Sequence, residues 1–101
     1  MIEFRFIDGL SFDGRILENS PPHRFALEYF ERSIVTFDLD DDNRGGTDLT
    51  VVDYKQSERF RAETFAGWLS VLLALKAAVD FSVDLRSHDR ERTWDQGFVD
   101  N

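Results

Sequence analysis

Polar and apolar residues alternate along the first half of the chain and change period in the second. Ile2, Phe4 and Phe6 face one way and Glu3 and Arg5 the other, the period of two that marks a strand. Asp8-Gly9 reads as a turn. Ser11 to Glu18 predicts a second strand, loosened by Gly14. Asn19-Ser20-Pro21-Pro22 ends it, because proline has no N–H to give to a ladder. From His23 to Glu31, Phe25, Leu27 and Tyr29 alternate with Arg24, Ala26 and Glu28, a third strand. A short turn near Glu31-Arg32 leads to a fourth, Ser33 to Leu39, with Val35, Phe37 and Leu39 on one side. The polar loop Asp40 to Gly46 then leads to a fifth, Thr47 to Tyr54, with Leu49 and Val51 inward. Lys55 to Arg61 is a polar connection in which Ser57 is one candidate helix cap.

Beyond it the period becomes helical. Between Glu63 and Arg86, at about 100° per residue, Phe65, Trp68, Leu72, Leu75, Val79 and Val83 share one face, with Leu69 at its edge. Glu63, Ser70, Ala74 and Ala77 take the other side. A helix of about 22 residues is roughly 33 Å long. That spans several strands spaced about 4.8 Å apart. The pattern therefore predicts an α+β fold: an antiparallel meander of about five strands curved around one long C-terminal helix. It is expected as a single domain over 1–101, with strands in 1–54, the helix in 62–86 and a tail in 87–101. Phe81 and Leu85 lie on the far side of the helix, and Trp94 or Phe98 of the tail is expected to fold back onto them.

Charge and composition narrow the partners. Lysine and arginine number 12 against 20 acids, a net charge of −8. Such a surface repels phosphates, so neither nucleic acid nor an anionic membrane surface is expected. There is no cysteine, which removes disulfides, thiolate metal sites and cysteine nucleophiles. The opening MIEFRFID has neither the basic nor the apolar region of a signal peptide. The longest apolar run, Phe65 to Leu75, is about half a membrane span and contains Gly67 and Ser70. A soluble cytoplasmic protein with no membrane partner is expected.

Two segments carry a family likeness: VTFDLDDDNRGGTDLTVVD, Val35 to Asp53, and AGWLSVLLALKAAVDF, Ala66 to Phe81. A strand, an acidic glycine hairpin, a GT-x-L-T strand and a GW-x-x-x-L-x-x-L helix follow in that order. In this the chain resembles the START-like, or SRPBCC helix-grip, superfamily, which includes polyketide cyclases and the birch-pollen allergen type. The nearest branch is that of the activator of the heat-shock-protein-ninety ATPase. The tail, Arg92 to Asn101, is similar to an extension of some bacterial members. The family begins with a strand and two short helices ahead of the meander, so the resemblance implies an N-terminally shortened version. It also implies an uncovered strand edge and an open cavity mouth, and with them a homodimer.

The resemblance further implies a cavity for an apolar small molecule. The inward aromatics Phe4, Phe6, Phe25, Tyr29, Phe37, Phe65 and Trp68, with Leu72, are its candidate lining, and Tyr29 is a polar anchor. The plainer reading of the same residues is core packing. Lys76 lies about 40° from the middle of the apolar face; it either carries a lowered pKa or snorkels to the rim. Asp38, Asp40 and Asp42 match the first acids of an EF-hand loop, but Asn43 stands where its glycine belongs and Leu49 where its glutamate belongs, so a solvated hairpin is expected. His23 and His88 have nothing at ligand spacing, and no metal or cofactor is expected. Non-catalytic binding of an apolar small molecule between sheet and helix is the leading expectation. A co-chaperone-like protein-interaction module and a small cyclase or hydrolase are the alternatives.

Overall fold

A computed structural model describes residues 1–6, 9–54, 58–93 and 96–98, with the side chain of Phe60 excepted. The chain is α+β: six antiparallel strands in two sheets, followed by one long helix. The strands are β1 (Ile2–Arg5), β2 (Ser11–Gly14), β3 (Ile16–Ser20), β4 (Arg24–Glu28), β5 (Ile34–Asp41) and β6 (Thr47–Tyr54), and the helix is α1 (Arg61–Phe81). β1 and β2 form a two-stranded sheet, and β3-β4-β5-β6 a four-stranded meander in chain order. Contacts group the chain into two compact units, residues 1–4 with 11–56 and residues 5–10 with 57–101.

In the first unit the period-two pattern becomes a register. Phe25 stands opposite Phe37 and Leu27 opposite Val35 across β4 and β5. Phe37 stands opposite Val51 and Leu39 opposite Leu49 across β5 and β6. Directly opposite residues share a sheet face, so these side chains form one apolar surface. Val35 is fully buried at its centre and Leu27 nearly so. The other face carries Arg24, which pairs with Glu18 at 3.3 Å and with Asp38 at 3.1 Å.

The second predicted strand, Ser11 to Glu18, is two strands. Gly14 is buried, and a Cβ on it would overlap the carbonyl oxygen of Glu28. The ladder restarts at Arg15, whose carbonyl accepts from the Glu28 N–H at 2.8 Å. Its register then slips between Ile16 and Glu18, leaving Leu17 as a bulge residue. The two prolines sit in the turn between β3 and β4, as their missing N–H requires.

The helix of the second unit stops at Phe81, short of the predicted Arg86. Ser82 takes a left-handed conformation, φ 56°. Its N–H bonds back to the Ala78 carbonyl at 3.2 Å, and the Val83 N–H to the Ala77 carbonyl at 3.1 Å. This is a left-handed C-terminal cap, a geometry that glycine more often supplies. The amphipathic contrast is shallow, because beyond Glu63 the side opposite the aromatic stripe carries alanine, glycine, serine and Phe81 rather than charge. No described residue of α1 is buried, and Phe65, Val79 and Phe81 keep 66%, 71% and 68% of their surface. By length and composition α1 is long and apolar enough to cross a membrane, with a mean hydropathy of 1.5. Counting the unbroken run understates this, since small neutral residues scarcely lower the transfer free energy of a helix.

Candidate functional site

Two arrangements stand out, one in each unit. In the first, the rings of Phe4 and Phe12 stack at 5.0 Å between β1 and β2. Tyr29 meets both edge-on, at 5.0 Å from Phe4 and 5.4 Å from Phe12. Phe30 approaches Phe12 at 5.7 Å. The chain places Tyr29 here by turning immediately after β4. The short 3₁₀ turn Phe30–Arg32 has Glu31 and Arg32 at positive φ, and the Tyr29 N–H donates to the Ser33 carbonyl at 2.8 Å. Burial in the ring cluster pushes the Tyr29 phenol above its ordinary pKa, and the nearby negative charge of Asp53 adds to this. Such a phenol stays protonated, suited to a hydrogen-bonding role and unsuited to a base.

The second arrangement is an open groove of about 970 Å³ along the C-terminal half of α1. Ser70, Ala74 and Ala78 share a helix face at four-residue spacing, with Val71, Leu73 and Leu75 beside them. The chain after the Ser82 cap supplies Val83 and Leu85, and Asp84 and Arg86 complete the lining. Small residues allow the close approach that a groove needs. The Asp84 carboxylate accepts from the Arg86 guanidinium at 3.0 and 3.1 Å, and the His88 Nε2 lies 2.6 Å away. Hydrogen bonds from Arg86 first, then His88, hold the Asp84 carboxyl well below the usual carboxylate range. Both formal charges at the groove are thus engaged with each other, and apart from Ser70 and Ser82 the remaining lining is apolar.

The sequence-predicted residues divide between several places. Phe4 and Tyr29 meet in the ring cluster, and Phe25 and Phe37 lie 6.2 Å apart on the sheet face. Phe6 is at the start of the β1–β2 turn and 40% exposed. Phe65 is exposed on α1, while Trp68 and Leu72 are half-buried. None of these lines the groove. Val83 and Leu85 of the groove were legible only as helix positions, because nothing in their own pattern announces the cap at Ser82.

The remaining candidates have structural roles. Lys76 is exposed and pairs with Asp80 at 2.6 Å, one helical turn on. In the acidic loop, Asp41 accepts from the Asn43 N–H at 2.7 Å. Asp42 accepts from the N–H groups of Arg44 and Gly46 at 2.7 and 2.9 Å. These carboxylates close the hairpin. Among the described residues no group of three acid or imidazole side chains could hold a metal ion. His23 is exposed, and its backbone joins the β3–β4 turn to Leu39. His88 finds Asp84 rather than its neighbour Asp89. Trp94 lies outside the described residues. Phe98 lies under the Arg92 guanidinium at 4.1 Å, and Phe81 and Leu85 remain exposed. No family model, curated protein or solved structure matches this chain.

Proposed function

We propose that this chain is a non-catalytic binding module for an apolar small molecule, the role that the helix-grip resemblance implies. The observation that carries the reading is the groove on α1, apolar along Val71, Leu73, Leu75, Val83 and Leu85. Its size falls in the range of small-molecule sites, about 300–1,000 Å³. A ligand that removes about 200 Å² of apolar surface from water there gains roughly 5 kcal/mol before the cost of its lost freedom. The neutral probe 1-aminoanthracene tests it. Saturable one-to-one binding with a raised melting temperature is expected. Ala74→Phe, which fills the groove floor from a helix position, abolishes binding and leaves the circular dichroism unchanged. Unsaturable binding, or equal binding by Ala74→Phe, overturns the reading.

A protein-interaction module is the second reading. The exposed Phe65, Leu75 and Val79 of α1 favour it, since large apolar side chains left exposed on one helix face mark contact surfaces. On that reading the probe leaves the melting temperature unchanged.

A further inference from the structure

The four-stranded sheet has two edges, and they are built differently. β3 has a bulge at Leu17, begins just after Gly14 and ends at Pro21-Pro22. Bulges and prolines of this kind blunt an edge. β6 has no such device. It is matched to β5 residue for residue, from Thr47 opposite Asp41 to Tyr54 opposite Ile34. It contains no proline, glycine or lysine, and it is rich in strand-favouring Thr, Val and Tyr. Among the described residues it has a ladder neighbour on one side only, β5. A straight edge of this length offers a row of N–H and C=O groups to another strand.

We infer that β6 pairs antiparallel with β6 of a second copy, about a two-fold axis through Thr50 or Val51, doubling the sheet. Matching faces requires a residue on the axis, charge excludes Asp48 and Asp53 from that place, and axes on Thr50 or Val51 keep the most facing pairs of the strand. A two-fold axis perpendicular to the sheet keeps the apolar face of Phe37 and Val51 continuous with its copy. It requires facing residues to share a face. With Thr50 on the axis, Leu49 faces Val51, Asp48 faces Val52 and Thr47 faces Asp53. With Val51 on the axis, Thr50 faces Val52, Leu49 faces Asp53 and Asp48 faces Tyr54. In neither does an aspartate face an aspartate. The register that sets Asp48 against Asp53 turns one copy over and joins apolar face to polar face. The pairs nearest the axis are then apolar or β-branched: Thr50 with itself and Leu49 with Val51 in the first register, Val51 with itself and Thr50 with Val52 in the second. About seven facing pairs give a hydrogen-bond count within the range of ordinary interfaces. A foreign basic strand is the competing occupant, drawn by Asp48 and Asp53. Salt separates the two, since pairing of chains each carrying −8 tightens as salt screens their repulsion, whereas binding of a basic strand weakens.

Sedimentation equilibrium of the full chain at micromolar concentration tests this, together with Val51→Pro and Val52→Pro. Neighbouring strand residues aim their N–H groups at opposite edges, so one proline removes a bond to β5 and the other removes an outward donor. A dimer tightened by salt is expected, and the fold-retaining proline variant sediments as a monomer. Thr50→Cys or Val51→Cys, whichever lies on the axis, gives a disulfide-linked dimer on oxidation in a chain that otherwise has no cysteine. Leu17→Cys on the other edge does not. A monomeric wild type, a folded proline variant that still dimerises, or equal cross-linking through Leu17→Cys overturns the inference. Failure of the probe experiment leaves all of these results unchanged.

Discussion

The Glu28 carbonyl oxygen lies so near the position that a Cβ on Gly14 would take that the two would overlap, and Phe4 Cε2 stands 3.2 Å from that position. Two separated stretches of chain meet there backbone to backbone. The Glu28 carboxylate returns the contact by accepting from the Arg15 guanidinium at 2.7 and 2.9 Å. A backbone oxygen held in a sheet cannot step aside as a side chain would. Gly14→Ala is therefore expected to lower the unfolding free energy by at least about 2 kcal/mol. Urea denaturation checks it as a lower midpoint. An unchanged midpoint would mean that the contact is not held.

Tyr29 sets the response to alkali. Its phenol is raised by burial and then by Asp53, so the folded chain holds this proton more tightly than the unfolded one. The resulting stability is present below the ordinary tyrosine pKa of about 10 and is lost as pH rises through the folded value. Absorbance at the tyrosinate band should show a step above the ordinary range that Tyr29→Phe removes. If no step lies above the ordinary range, the ring cluster does not enclose Tyr29.

Asp84 sets the opposite response at the acid end. Its carboxyl is depressed by Arg86 and His88, so its contribution is present above the ordinary aspartate pKa of about 3.9 and is lost as pH falls through the folded value. The group is fully exposed, so salt should weaken the depression. Side-chain carboxyl chemical shifts followed against pH, in low and high salt, read it directly. His88→Ala should move the Asp84 midpoint upward, and Arg86→Ala should move it further.

Ser82 holds a left-handed conformation that costs a residue with a Cβ about 1–2 kcal/mol. Ser82→Gly is expected to stabilise the second unit by about 0.5–1 kcal/mol after the unfolded chain's added freedom is counted. A rise in melting temperature at unchanged helix content is the expected observation. Ser82→Val should do the reverse, because a β-branched residue fits this region worst.

Alternation alone located β4, β5 and β6 and sorted their residues into two faces; burial it did not assign, and Ala26 and Thr36 are buried on one face as Leu27 and Val35 are on the other. A strand forces neighbours to opposite sides, so Phe25, Leu27, Val35, Phe37, Leu49 and Val51 declare their common face by spacing. The helix was equally legible through its stripe from Phe65 to Val79, though the stripe's last member, Val83, lies beyond the helix end, and so was the α+β class. Tertiary contacts decided the rest. Gly14 divides a strand because of a carbonyl far along the chain, and Leu17 bulges within the pairing that follows. The helix ends at Ser82, a residue whose type does not by itself mark a stop. Tyr29 gains its raised phenol from rings and an aspartate far along the chain, whereas Asp84 takes its arginine and histidine from two and four residues on, once the helix has ended. Spacing reports which side of an element a residue occupies; which atoms it meets depends on where the chain turns and where distant segments come to rest. The groove originates in the turn at Ser82, and the ring cluster in the meeting of β1, β2 and the turn after β4.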